Sequence, residues 1–221
     1  YLDYFEPILK EKDLLFLAFS SQISATYLNI LEAQKELLEK YPERRFIVVD
    51  TLSISAPQSL LILGAHALYE QGADIDTVAQ WVMDNRLKAQ AWFTVGDLAY
   101  LRRGGRISAT SAIMGTMLDI KPILTISRAG KLEAQAKVQG RKKAMKMLVD
   151  KTVENIGESK GKSVIIMHGD AQEEAEMLKT QLKNRLSDLG EIRIQMIGPV
   201  IGAHAGPGTL NISFIGNERT A

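Results

Sequence analysis

Short apolar runs alternate with longer amphipathic segments in the first half of the chain. Residues 14–19 are wholly apolar and residues 46–49 form a second such run, which is the pattern of strands buried on both faces. Between these runs, apolar residues recur at helical spacing from Ile23 to Leu38. An order of strand, helix, strand and helix predicts a parallel, doubly wound sheet.

The next two predicted helices carry signals for where they begin and end. Ser55 and Gln58 have the spacing of a capping box at the start of one helix, and Gly72 is a stop signal for it. Asp74 or Asp76 is the expected N-cap of the helix that follows.

The second half of the chain has a different pattern. Residues 120–127 and 132–139 are strand-like runs joined by the turn sequence Arg-Ala-Gly-Lys, which predicts an antiparallel hairpin. Further strands are expected at 91–95, 163–168, 192–197 and 210–215, and helices at 97–103, 142–156 and 171–186. The predicted fold class is therefore α/β with two domains, a parallel-sheet N-terminal domain (1–90) and a mixed-sheet C-terminal domain (91–221).

Composition removes several classes of function. The chain has 221 residues, and 27 Lys and Arg nearly balance 26 Asp and Glu, so the charge does not indicate a nucleic-acid partner. The absence of cysteine excludes disulfides and thiol chemistry and favours a cytoplasmic protein, while three widely spread histidines do not suggest a metal site. No apolar run approaches the ~20 residues of a membrane helix.

The segment Ser-Ser-Gln-Ile-Ser-Ala-Thr-Tyr, residues 20–27, places hydroxyl groups between the first strand and its helix. Open α/β sheets bind ligands at this end of their strands, and hydroxyls with helix N-terminal N–H groups can hold an anion. The alternative is that Ser21 or Ser24 only caps the helix, and spacing leaves both interpretations open. A nucleophilic serine is disfavoured because the G-x-S-x-G elbow is absent.

Two further segments are rich in glycine. Residues 101–108, Leu-Arg-Arg-Gly-Gly-Arg-Ile-Ser, could approach a ligand through the glycines, although a C-capped helix with solvated arginines is what the spacing favours. Residues 197–208 hold four glycines and two prolines around His204, which predicts a loop. A histidine with so little side-chain cover is well placed to face a ligand.

The three segments, in this order, resemble those of the DegV family. That family carries SSGLSGTY-like, LRKGGRIS-like and GPVIGTHTGPG-like stretches, matched here by residues 20–27, 101–108 and 198–208. The resemblance implies a two-domain α/β protein that holds a long-chain fatty acid, such as palmitate or oleate, in a tunnel between the domains. It also implies a bacterial carrier without cofactor or metal, not itself an enzyme, that presents the fatty acid to a fatty acid kinase for phospholipid synthesis.

The same resemblance implies which residues bind the ligand. Ser21 is the first expected carboxylate donor, and the tunnel wall is expected within the apolar stretch around residues 113–120. The full expected set is Ser20, Ser21, Thr26, His204, Gly105, Arg106, Ile113, Met114 and Met117. The apolar members could equally be ordinary core residues.

The chain departs from the family pattern in places. Gln22 and Ala25 alter the first segment, Ala203 and Ala205 replace threonines beside the histidine, and Gln139 stands where arginine is common. The first strand of the family and its T-S-Q-P-like segment have no counterpart, and the chain opens on Tyr rather than Met. We therefore expect that N-terminal sequence precedes this chain and that the first domain lacks a strand.

Two other functions fit the residues. A phosphotransferase could use His204 or the Gly104-Gly105-Arg106 loop on a small phosphorylated molecule, although neither a Walker loop nor a metal cluster supports it. A binding module for some other carboxylate is the third possibility. The mass of whatever co-purifies with the protein separates the three.

Overall fold

The computed structural model describes residues 1–107 and 119–220, which form an α/β structure with two sheets. The helices are α1 (Leu2–Leu9), α2 (Thr26–Lys40), α3 (Ser55–Glu70), α4 (Ile75–Asn85), α5 (Ala99–Arg103), α6 (Arg141–Asn155), α7 (Gln172–Arg185) and α8 (Pro199–Ala205). The strands are β1 (Leu14–Ala18), β2 (Phe46–Asp50), β3 (Ala89–Thr94), β4 (Ile120–Ile126), β5 (Leu132–Gln139), β6 (Val164–His168), β7 (Ile192–Met196) and β8 (Leu210–Ile215).

The first sheet is a parallel pair, β1 with β2, as the strand–helix pattern predicts. Phe5, Ile30 and Leu37 of α1 and α2 pack with Phe46 of β2 in one buried cluster. Strand β1 packs on both faces, with Leu14 and Phe16 against one cluster and Leu15 and Leu17 against another, although residues 14–17 are only partly buried. Within the described residues β1 pairs with β2 alone, so its other edge has no strand partner there.

The second sheet has six strands in the order β5-β4-β3-β8-β6-β7. The β4–β5 hairpin is antiparallel and the β6–β7 pair is parallel, which confirms the predicted mixed sheet. Side chains alternate between the two faces of each strand. Trp92, Ile166 and Ile212 therefore point to one face, where they form the main core with residues of α6 and α7.

Helix α3 covers the opposite face of the six-stranded sheet. Its Ala56 and Leu60 pack with Ile165 and Met167 of β6. We call α1–α4 with β1 and β2 the first unit, and the six-stranded sheet with α5–α8 the second. Further along the helix, Ala65 packs in the cluster that includes Val49 and Val82 of the first unit. Helix α3 thus contacts both sheets, and the domain division at residue 90 stays a prediction.

The first turns of α2 and α3 differ from the sequence expectations. Helix α2 begins at Thr26 rather than Ile23, because the N–H groups of Ile23 and Ser24 first donate to Ser20 O in a turn. The capping box is wrong: α3 has no side-chain cap, and the Gln58 amide instead donates to Leu17 O at 2.9 Å.

Asp74 is the N-cap of α4 and accepts from the Thr77 N–H at 2.8 Å, which confirms one of the two expected caps. The glycine-rich segment that was expected to be a loop contains a short helix, α8, with Pro199 in its first turn. Pro in this place is compatible with helix initiation, since the missing N–H has no intrahelical partner there.

Arg219 joins the two units from near the end of the chain. It is 3% exposed, and its guanidinium donates to Leu52 O (2.7 Å), Ala89 O (2.9 Å) and Ser127 O (3.1 Å) as well as to the Ser53 hydroxyl. Burial lowers the pKa of Arg219 to about 10, so the group is charged at neutral pH and its desolvation is offset by these acceptors.

Candidate functional site

A cavity of about 290 Å³ lies between the first unit and the face of the six-stranded sheet that is opposite α6 and α7. Thirteen of the 20 described residues that line it are apolar. These are Phe19, Ile23, Ile54, Ala91, Phe93, Leu101, Ile126, Leu132, Met167, Ile197, Val200, Ile201 and Ala205. An apolar cavity with a few polar groups is the usual form of a small-molecule site.

The alternation of side chains in the central strands forms the floor of the cavity. Ala91 and Phe93 of β3, Met167 of β6 and Asn211 of β8 all line it. Phe93 and Met167 are each opposite Asn211 in the strand register, so the three side chains share one face. The same alternation of side chains therefore directs Phe93 into the cavity and its neighbour Trp92 into the core on the opposite face of the sheet.

Helix α8 and the segment after α5 form part of the rim. Val200 of α8 is 75% exposed and also lines the cavity, and Arg106 is likewise exposed and lining. The Arg106 guanidinium donates to the carbonyl oxygen of Gly104. The rim therefore combines an exposed apolar side chain with a cation.

Two hydroxyl groups meet where the first segment enters α2. Ser24 Oγ and Thr26 Oγ1 are 2.6 Å apart, and the Thr26 N–H donates to Ser24 Oγ at 3.2 Å. Both residues line the cavity at the N-terminus of a 15-residue helix, where the helix dipole favours negative charge. One hydroxyl hydrogen is used between the pair, which leaves the other for a ligand.

The N-terminus of α3 enters the same cavity. Ile54 and Ser55 line it, and Ser55 has a backbone φ of +53°, which is unusual for a residue other than glycine. The helix starts of α2 and α3 thus meet the cavity from the carboxyl ends of β1 and β2, which is where open α/β sheets bind ligands.

Ser20 and Ser21 are not brought to the cavity. Ser20 is fully buried and donates its hydroxyl hydrogen to Gly130 O at 2.8 Å, at the turn of the β4–β5 hairpin. The Ser21 hydroxyl accepts from the Gln22 side-chain amide, and its backbone N–H donates to Asp50 Oδ1. These two serines hold the first segment in place.

The two glycine-rich segments pack directly on each other. A Cβ atom on Gly104 would lie 2.2 Å from His204 Nδ1, and one on Gly206 would lie 2.6 Å from the Tyr100 ring. Both glycines therefore permit an approach that no side chain would allow. This contact places the His204 imidazole on the Gly104 backbone, at the wall of the cavity.

The other expected site residues divide as follows. Thr26, His204 and Arg106 line the cavity, while Gly105 is exposed and lies outside the lining. Ile113, Met114, Met117 and Leu118 fall outside the described residues, and Ile120 is the first residue of β4 and is not part of the lining.

The sequence interpretation missed most of the cavity floor. The hydrophobic pattern predicts that Phe93 and Met167 lie in strands, but it gives neither these residues nor Asn211 a place in a site. The available signal was the alternation Leu-Asn-Ile-Ser-Phe-Ile in β8, in which Asn211 and Ser213 share the face opposite the buried apolar residues.

The described residues contain no group of three or more His, Asp or Glu side chains suited to a metal ion. None of the helices in residues 1–107 and 119–220 has the length and hydrophobicity needed to cross a bilayer.

Comparison with known proteins connects this chain to a family. Residues 1–217 match the family model described as "Uncharacterised protein, DegV family". A DegV domain-containing protein of Clostridium perfringens is 40% identical over 220 residues, which are 99% of this chain and 75% of that protein.

Solved structures give the same result. A DegV lipid binding protein from Thermotoga maritima is 30% identical with a TM-score of 0.84, over 99% of this chain and 74% of that one. A fatty acid binding DegV family protein from Streptococcus agalactiae is 30% identical with a TM-score of 0.83, over 99% and 77% of the two chains.

Proposed function

This chain belongs to the DegV family, and we propose that it binds a long-chain fatty acid in the cavity between its two units. The observation that carries the proposal is the combination of apolar walls with neutral hydrogen-bond donors in one cavity. The T. maritima and S. agalactiae relatives, described as lipid-binding and fatty-acid-binding, support the same class of ligand.

The acyl chain supplies the affinity. Burying about 15 methylene groups at ~0.8 kcal/mol each gives a gross gain on the order of 12 kcal/mol. Lost translational, rotational and chain freedom offsets a large share of that gain. The polar groups therefore need only fix the orientation of the ligand and stabilise its charge.

We assign the carboxylate to the hydroxyl pair of Ser24 and Thr26, with His204 as a further donor. The pair has a spare hydroxyl hydrogen and the positive end of α2 behind it. Hydrogen bonds to a carboxylate favour its charged form, so lysine is not needed at the site. Ser20 and Ser21, the donors expected from the family segment, do not line the cavity and donate to Gly130 O and Asp50 Oδ1 instead.

The purified protein is expected to carry about one fatty acid per chain. Extraction into organic solvent followed by mass spectrometry measures both the amount and the chain length. Protein stripped of lipid should take up added palmitate or oleate. A protein that arrives empty and takes up neither acid contradicts the proposal, and so does a co-purified nucleotide or sugar phosphate.

Replacing Ser24 with alanine is expected to weaken fatty acid binding by about 1–3 kcal/mol, because the carboxylate loses a donor and Thr26 loses its partner. Ser21→Ala removes a hydroxyl of the same segment that does not line the cavity, and it serves as the matched control. Affinity is measured by titration with a fluorescent fatty acid. A larger loss of affinity with Ser21→Ala than with Ser24→Ala would contradict this assignment and indicate that Ser21 binds the carboxylate.

The carrier role is the finer part of the proposal. The protein would hold the fatty acid in the cytoplasm without chemical change and present it to a separate fatty acid kinase. Arg102 and Arg103 of α5 are exposed close to the cavity rim, and Arg103 stacks over the Tyr100 ring at 4.7 Å. Arginines in such a place suit a phosphate or an acidic partner surface.

A further inference from the structure

Asn211 is a polar residue in the otherwise apolar floor of the cavity. It lies in β8, with Phe93 of β3 and Met167 of β6 opposite it on either side. All three residues line the cavity, and Asn211 is only partly buried. The residues next to it in the strand, Leu210 and Ile212, are fully buried in the core on the other face.

Only one of the two polar atoms of the Asn211 carboxamide has a hydrogen-bond partner among the described residues. Its Oδ1 accepts from the Ser213 hydroxyl at 2.5 Å. In the part of the chain that the structure describes, Nδ2 donates to no protein atom, although an amide nitrogen carries two donor hydrogens. Because the floor faces the cavity, a ligand that fills the cavity can provide an acceptor for these hydrogens.

A saturated hydrocarbon cannot provide that acceptor. If methylene groups covered Asn211, they would remove water from two N–H groups without replacing its hydrogen bonds, which is unfavourable. A site with a buried donor favours ligands that satisfy the donor over analogues that do not. The same carboxamide therefore weakens binding of one class of ligand and strengthens binding of another.

We propose that Asn211 donates a hydrogen bond to an oxygen atom of the bound ligand and thereby selects acyl ligands that place oxygen over β8. This inference rests on the proposed fatty acid function. The oxygen can come from the carboxylate itself or from a hydroxyl or keto group along the chain, and the shared chemistry is an oxygen acceptor at this point of the floor.

The test uses the full chain in three variants. Asn211→Leu removes the polar group at similar size. Asn211→Asp removes the donor but keeps an acceptor for Ser213, so it carries the test if the leucine variant fails to fold. Asn29→Leu, at an exposed position of α2 outside the cavity lining, is the matched control. The probes are palmitate and a set of hydroxypalmitates with the hydroxyl at different carbons.

Two results support the proposal and identify the source of the oxygen. If Asn211 binds the carboxylate, Asn211→Leu lowers the affinity for palmitate and for every hydroxypalmitate by roughly ten-fold. Asn211→Asp lowers these affinities further, because its carboxylate repels that of the ligand. If it binds a chain oxygen, one hydroxypalmitate binds the wild type roughly ten-fold better than palmitate does, and Asn211→Leu abolishes that preference.

Other results overturn it. Affinities of the Asn211 variants within about two-fold of the wild type for all probes would show that the carboxamide contacts no ligand oxygen. A gain in affinity shared by all probes would show that it only opposes binding. A wild-type protein that binds none of these acids would instead contradict the proposed function itself, which separates the two failures.

Discussion

Replacing Arg219 with alanine is expected to lower the free energy of unfolding by about 3–5 kcal/mol, because several buried carbonyl acceptors each lose a donor at roughly 1–3 kcal/mol per group. The guanidinium donates to the carbonyls of Leu52, Ala89 and Ser127. Its removal takes a donor from each of these buried carbonyls, and among the described residues Ser127 O keeps only the Gly130 N–H as a partner. Chemical denaturation followed by circular dichroism measures the change.

The position of Arg219 makes this effect relevant to the ligand. Leu52 and Ser53 directly precede Ile54 and Ser55, which line the cavity. Ser127 begins the hairpin turn that also receives the Ser20 hydroxyl at Gly130. One side chain from the end of the sequence therefore fixes two of the segments between which the cavity forms, and its loss should also weaken fatty acid binding.

Two further variants test whether the geometry of the Arg219 guanidinium matters. Arg219→Lys keeps the charge but cannot reach all the acceptors, so its destabilisation should lie near that of alanine rather than near wild type. Arg185→Ala removes an arginine that is half exposed and pairs with Asp150 at 2.9 Å, and it should cost no more than about 1 kcal/mol. Equal effects of Arg219→Ala and Arg185→Ala would contradict the account.

The sequence was sufficient to predict the elements that hydrophobic periodicity determines. The apolar runs of β1 and β2, the β4–β5 hairpin and the Asp74 cap all depend on neighbouring residues, and each is present. Helix α8 was missed because Gly198 and Gly202 are typical of loops, while its stability comes from packing on α5. Local propensity is a weak guide where tertiary contacts decide.

The cavity was harder to predict because its polar residues were chosen by position in a motif. Ser20, Ser21 and Ser24 are serines of one short segment, and the sequence does not distinguish their roles. Only the fold shows that the Ser20 hydroxyl faces Gly130, 110 residues away. The same holds for Asn211, whose role depends on the register of β8 between β3 and β6. The motif indicated a segment that reaches the cavity, and long-range packing decides which of its side chains line it.

Replacing Gly104 with alanine is expected to weaken fatty acid binding by roughly ten-fold, about 1.4 kcal/mol, without a large loss of stability. The backbone at Gly104, with φ −72° and ψ −7°, accepts any residue. The added Cβ would lie 2.2 Å from His204 Nδ1, however, so the imidazole must leave its place at the cavity wall. Titration of the variant with a fluorescent fatty acid measures the loss.

Gly105 provides the matched control one residue away. It has φ +67° and open space around the position of a Cβ atom, so Gly105→Ala should cost about 1 kcal/mol of stability through backbone strain while affinity stays unchanged. The two neighbouring substitutions thus separate an effect on the ligand from an effect on the fold.

The route through His204 is tested in a double-mutant cycle. In a His204→Ala background the clash is absent, so Gly104→Ala should produce no further loss of affinity, because the two changes act on the same group. If Gly104→Ala weakens binding equally with and without the imidazole, the glycine acts on the ligand by another path and His204 is not the residue it positions.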